Sequence, residues 1–177
     1  MRKISWIYLG TAMYMVFGLY SYAYAIDSDL TRRTLKNIRG VHVIVEDLQP
    51  NLKGYGQKSS LSTIQMEKEM INKLQVEGIE VFTRDQWLKT LGRPLLYINI
   101  NTHDDKFRVA YDVRLELKQI VAMEANPDIK TLAPTWSINM TGMAAVDKLD
   151  KIQDALATLM DRFIKAYWTV NNKESKK

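Results

Sequence analysis

The chain has 177 residues, a formal net charge of +5 and no cysteine. That length fits one ordinary domain after any leader, and the missing cysteine excludes disulfides, thiol chemistry and a lipid-modified N-terminal cysteine. Much of the positive charge sits at the two ends, in Arg2, Lys3, Lys173, Lys176 and Lys177, so the near-neutral body does not point to a nucleic-acid partner.

Arg2 and Lys3 precede an uncharged stretch from Ile4 to Leu19, followed by Ala23-Tyr24-Ala25. This is the charged, apolar and small-residue order of a signal peptide over residues 1–25, with cleavage before Ile26. Residues 4–25 are also long enough to span a bilayer as a retained anchor. Gly10, Thr11, Gly18 and Ser21 soften that segment, and its small-x-small end favours cleavage. The expected location is periplasmic or secreted, with no stable membrane span after cleavage and no lipoprotein anchor.

Residues 26–39 are polar with a few apolar positions and read as an N-terminal linker or short helix. A single domain is expected over 40–171, and residues 172–177 read as a charged, disordered tail. Val41 to Val45 is β-branched at most positions and reads as a central strand. Gln49 to Ser60, with one proline, two glycines and two serines, is a long loop of the kind that often carries binding residues.

Ser62 and Gln65 form a capping-box pattern, with Leu61 and Met66 placed as a hydrophobic staple. The spacing predicts a helix with Ile64, Ile71 and Leu74 on its buried stripe, Met70 beside them, and Gly78 just past its end. Ile79 to Phe82 is a second strand, parallel to the first across a right-handed crossover. Thr83 and Gln86 cap a short helix to Lys89, with Trp87 and Leu88 against the sheet edge. Leu95 to Asn101 is a third strand, followed by a polar turn over 102–106.

Phe107 to Glu124 then alternates apolar and charged residues over roughly 55 Å if fully extended. One apolar and one wet face mean an antiparallel sheet covered on one side only. The alternation falters at Gln119–Ile120, where a bulge is expected. After a turn over 125–128, Leu132 to Thr141 reads as a fifth strand. The last helix runs from Val146 to Val170, with an apolar stripe from Leu149 through Leu156, Leu159, Phe163 and Tyr167. The expected fold is α+β: a two-layer sandwich ordered β-α-β-(short α)-β-β-β-α, its mixed sheet carrying two main helices on one face. The expected core is Val43, Val45, Ile71, Leu74, Ile98, Val113, Leu115, Trp136, Leu156, Leu159 and Phe163.

The chemistry is sparse. Only two histidines occur, and no nucleophile elbow, zinc-helix or phosphate-loop pattern appears. His103-Asp104-Asp105 lacks calcium-loop spacing, so neither a metal nor a cofactor is expected. Glu46 and Asp47, with His42 on the same strand, are the one carboxylate and imidazole group available to a small hydrolase. The two carboxylates point to opposite faces if the strand continues, which argues against shared work. The wet face carries Tyr97, Asn99, Asn101, Thr135, Ser137 and Asn139, with Asp112, Arg114, Glu116 and Lys118 able to pair across strands. This composition suits an envelope protein or a glycan. It lacks the stacking aromatics of a single-strand nucleic-acid binder. The candidate partner-binding residues are Lys53, Tyr55 and Lys58 on the loop and Tyr97, Arg114 and Lys118 on the open face.

The runs GVHVIVEDL, L-x3-Q-x4-M-I-x2-L-x3-GIEV, RPLLYININ, TWS and LMDRFIKAYWTVN resemble a family of short, uncharacterised exported bacterial proteins over residues 40–171. The element order is also similar to the N-terminal domain of the translocation protein TolB, and to periplasmic domains of penicillin-binding-protein activators and the curli-secretion lipoprotein. The resemblance implies a non-catalytic module that binds other envelope components. The chain departs from the activators and the curli protein in having no lipid-acceptor cysteine.

Overall fold

The computed structural model describes residues 27–50, 52 and 61–171. The expected leader 1–25, the tail 172–177 and the loop residues Lys53, Tyr55 and Lys58 lie outside the described residues.

The fold is α+β. After helix α1 (Asp29–Arg32) and a 3-10 turn (Arg33–Leu35) come β1 (Gly40–Val45), α2 (Thr63–Val76), β2 (Glu80–Val81) and α3 (Arg84–Lys89). Then follow β3 (Leu95–Asp105), β4 (Arg108–Met123), β5 (Asn126–Ala145) and α4 (Asp150–Val170). The strands form one mixed sheet in the order β2-β1-β3-β4-β5. β1 runs parallel to β2 and β3, and β3, β4 and β5 form an antiparallel meander.

One face of the sheet is apolar on each strand. Val41, Val43 and Val45 of β1 join Leu96, Ile98 and Ile100 of β3 and Val109 to Leu117 at alternate positions of β4, with Trp136 and Ile138 of β5. Helices α2 and α4 cover this face with Met66, Met70 and Leu74 from one and Ile152, Leu156, Leu159, Phe163 and Tyr167 from the other. Burying each such large side chain stabilises by about 1.5–3 kcal/mol relative to leaving it exposed. Lys73 ties the helices together, its ammonium 2.8 Å from Asp161 Oδ1 and 3.3 Å from the Ala157 carbonyl.

The local signals read from the sequence act mostly as expected. Ser62 accepts from the Gln65 N–H, but the Gln65 side chain donates to Glu69 instead of closing the capping box. At the far end, Gly78 takes φ +79°, its N–H reaches the Gln75 carbonyl, and the Ile79 N–H reaches Leu74 at 2.9 Å. That is a Schellman end, and it buries Ile79 against Leu74. The buried stripe of α2 differs from the expected one. Met66, Met70 and Leu74 face the core, Ile71 is only partly buried and Ile64 is 80% exposed. Ile64 and Ile71 sit roughly 100° round the helix from the middle of that stripe. The unbranched methionines fill the gap between helix and sheet that the isoleucines do not reach.

Three boundaries move. β3 runs on to Asp105, because the Asp105 carboxylate accepts from the Phe107 and Arg108 N–H groups and holds a two-residue turn at Lys106–Phe107. Phe107, expected on the apolar face, sits in that turn, 75% exposed, and His103 lies in the strand. β5 starts six positions earlier than read, at Asn126, and passes through Pro127 and Pro134. Helix α4 starts at Asp150, after Leu149.

The residues expected as a linker are packed. Asp27 accepts from Arg32 at 2.7 and 2.8 Å and from the Trp136 indole N–H at 3.0 Å. Leu35 is fully buried, and Asn37 (φ 62°) donates its N–H to the Asn171 side chain. Tyr167 donates to the Ile38 carbonyl at 2.5 Å, and Asn171 donates to the Leu35 carbonyl at 2.8 Å.

On the apolar face near the other end, Gly142 lies directly under the ring of its β4 partner Tyr111. A Cβ there would stand 2.4 Å from the ring's Cζ and hydroxyl.

Candidate functional site

The face of the sheet away from α2 and α4 is polar across β3, β4 and β5, while at its β1 end His42 packs against Trp87 of α3. Its rows run across the strands as Tyr97–Glu116–Ser137, Asn99–Arg114–Asn139 and Asn101–Asp112–Thr141. Alternation places these side chains opposite the core, so their orientation follows from the same pattern that buries Ile98 and Leu115.

Glu46, just past β1, anchors one end of this face. It accepts hydrogen bonds from the Tyr97 hydroxyl and the Asn99 amide, and Asn101 donates in turn to the Asn99 side chain. The Tyr97 and Asn99 donors hold the Glu46 carboxyl below its ordinary range, so it stays ionised and serves as an acceptor. The same bond to Glu46 pushes the Tyr97 phenol up to about 12. Lys118 lies over the Tyr97 ring, 3.4 Å from its centroid, and 3.3 Å from Glu116.

Asp112, Arg114, Glu116 and Lys118, read as able to pair across strands, pair along β4 instead, while Arg108 at its start reaches Asp105 of β3 at 3.5 Å. Arg114 reaches Asp112 at 3.8 Å and Lys118 reaches Glu116. The reason is register: the neighbours of Asp112, Arg114 and Glu116 on both flanking strands are the neutral residues Tyr97, Asn99, Asn101, Ser137, Asn139 and Thr141. Asn139 donates to Asp112 at 2.8 Å. A shallow groove of about 270 Å³ opens between β4 and β5, lined by Arg114, Glu116, Pro134, Ser137 and Asn139.

Of the candidate residues, Tyr97, Arg114 and Lys118 share this face, and Tyr97 and Lys118 touch. Thr135, expected there too, borders the groove as the extra residue of a bulge, since Leu117 pairs with Trp136 but Lys118 pairs with Pro134. The Thr135 hydroxyl turns inward to Gln119 Nε2 at 2.8 Å. The hydrolase group is not brought together. His42 and Glu46 stand about 13 Å apart along β1, the His42 ring packs on Trp87, and its Nδ1 lies 2.9 Å from the Phe82 carbonyl. Asp47 is exposed and outside the Glu46 cluster. Among the described residues no group of three His, Asp or Glu side chains is placed to hold a metal ion.

One feature escaped the sequence reading. β4 and β5 continue past the helix-covered sheet as a two-stranded arm over residues 119–133. Its root is tied down by Gln119 donating to the Thr34 carbonyl and by the Ile120 N–H donating to Gly92 at 2.7 Å. Beyond the root, Met123, Ile129 and Leu132 are 48%, 53% and 38% exposed. The signal was the length of the β4 alternation, which needs an equally long partner.

Comparison with known protein families, with curated proteins and with solved structures gave no match. No helix among the described residues is long and apolar enough to cross a membrane.

Proposed function

We propose that the protein is a non-catalytic binding module of the bacterial cell envelope, exported and released by cleavage before Ile26. Its open sheet face takes an extended polar partner, an envelope protein or a glycan. The observation that carries this reading is the cluster of Glu46, Tyr97, Asn99 and Asn101, which continues across Arg114 into the groove beside Ser137 and Asn139. An ionised acceptor, side-chain amides, hydroxyls and one aromatic ring under a cation are groups that recognise amides and sugar hydroxyls.

Gln49, just past β1, borders this face: its side chain accepts from the Thr102 N–H at 2.9 Å and donates to Asn101.

Capture of partners from the native envelope tests the reading. The Y97A/R114A double variant should lose the captured component while melting within about 1 kcal/mol of the parent, since both side chains are surface groups. Unchanged capture would overturn the open-face site. Intact-mass measurement of the protein from its native envelope tests export: a mass that retains residues 1–25 would refute release.

A further inference from the structure

We propose that β5 is the seam of a homodimer, in which two copies join antiparallel through their β5 edges into one continuous sheet. This stands on backbone geometry and is independent of what the open face binds.

β5 is the outer strand of the sheet. Which of its backbone groups point outward follows from the hydrogen bonds. The Val146 N–H donates to the Phe107 carbonyl, so residues 107 and 146 are a bonded pair, and bonded pairs recur at every second position. Even-numbered residues from Trp136 to Ala144 therefore bond inward to β4, and odd-numbered residues turn their N–H and C=O away from the sheet. Thr135 agrees, since its carbonyl accepts from Thr34 on the outer side. At the other end the Ala145 carbonyl accepts from Lys148. Between these two stops lie Ser137, Asn139, Thr141 and Met143, whose outward backbone groups have no partner among the described residues.

Proteins ordinarily blunt such an edge with charge, proline or brevity. The opposite edge is blunted: β2 is two residues long, and Arg39 pairs with Glu80 at 2.8 Å beside it. The arm end of β5 is blunted too, by Pro134 where the missing N–H would point outward. The window 137–143 has none of these. From Thr131 to Val146 the chain carries no charge at all, although a quarter of its residues are charged overall.

A second copy fits this window when the two-fold axis passes beside Met140, the residue midway between Ser137 and Met143. With a two-fold axis there, Ser137 faces Met143 of the second copy and Asn139 faces Thr141, and every outward N–H meets a C=O. On the helix side Met140 meets its own counterpart, and Ile138 meets Gly142. No like charges meet, which is the condition a self-pairing edge must satisfy.

Sedimentation velocity of the full chain over a concentration series, with amide hydrogen exchange on the same samples, tests the seam. The parent should form a dimer, and the amides of Ser137, Asn139, Thr141 and Met143 should slow as it forms. N139K/T141K places like charges opposite each other and should lose the dimer. N139K/T141E places opposite charges there and should keep it. Tyr97, Arg114 and Lys118 variants should leave the dimer intact, so failure of the seam and failure of the open-face reading are separable. A parent that stays monomeric overturns the proposal and leaves the edge to an extended segment of another protein. A dimer whose 137–143 amides exchange freely, or one that ignores both charge variants, also overturns it. The exchange result needs no variant, so misfolding of a variant does not blunt the test.

Discussion

Gly142 gives a test in which the sign of the effect, and not only its size, is diagnostic. Gly142 sits inside β5 at an ordinary strand conformation, where alanine is normally better by about 0.5–1 kcal/mol because it restricts the unfolded chain. Here the added Cβ would stand 2.4 Å from Tyr111 Cζ and Oη and 2.9 Å from Cε2. Tyr111 is 9% exposed, so its rigid ring clears the methyl only by swinging off the sheet or forcing β5 outward. Overpacking of this kind costs about 1–3 kcal/mol. The net for G142A is a loss of about 0–2.5 kcal/mol, or up to about 10 °C in melting temperature for a domain of this size. In a Y111V background the obstacle is gone, and the same substitution should become stabilising by about 0.5–1 kcal/mol. Urea denaturation of the four proteins, dilute enough to remain monomeric, measures the coupling directly. A G142A that stabilises the parent, or one with the same effect in both backgrounds, would refute the packing of Tyr111 over Gly142.

Leu156→Ala should cost about 2–5 kcal/mol in the same assay, because its fully buried side chain joins α4 to the sheet; a loss below about 1 kcal/mol would show that the helix does not pack as described. Asp27 is held below its ordinary carboxyl range, chiefly by Arg32, so the stability it contributes is present above about pH 4 and is lost as pH falls through its lowered native value. D27N should therefore weaken the protein by about 1–3 kcal/mol at neutral pH and converge with the parent in acid, and parallel curves over the whole range would count against the linkage. E46Q should return one phenol from about 12 toward the usual tyrosine range of 10.0 in an NMR titration of the tyrosine rings, and an unmoved Tyr97 would show that Glu46 does not set it.

Much of the fold was legible where a local rule decides. The alternation of Val109 to Leu117, the start and stop of α2 at Ser62 and Gly78, the Thr83–Gln86 box of α3 and the stripe from Leu149 to Tyr167 all depend on neighbours within a turn or two. The errors fall where a distant partner overrides the local signal. Pro127 read as part of a turn, yet β5 starts at Asn126 and runs through it. The polar run Thr102 to Asp105 read as a turn, but pairing with Val109 to Tyr111 extends the strand. Gln119 looked like an interruption, and it is the residue that fastens the arm to Thr34. At the candidate site, the presence of Tyr97, Arg114 and Lys118 on one face was visible from parity. The bond from Tyr97 to Glu46 was not, because it depends on how β1 and β3 are registered.

The first and last parts of the domain close on each other. The Asp27 carboxylate needs Trp136, and the carbonyls of Leu35 and Ile38 need Asn171 and Tyr167. A chain made from its N-terminus holds residues 27–39 without these partners until nearly the whole domain has been synthesised. Loop closure over such a span comes late and is slow relative to helix formation. The meander of β3, β4 and β5 can pair before that point, but the edge beside Trp136 stays uncovered until α4 emerges. Truncations that stop short of Tyr167 should therefore yield a chain with its sheet formed and its N-terminal segment loose, open to protease at Arg32 and Arg33. The last turn of α4 is thus the latch that ends folding, and the domain becomes resistant to cleavage in one step, at the end of synthesis.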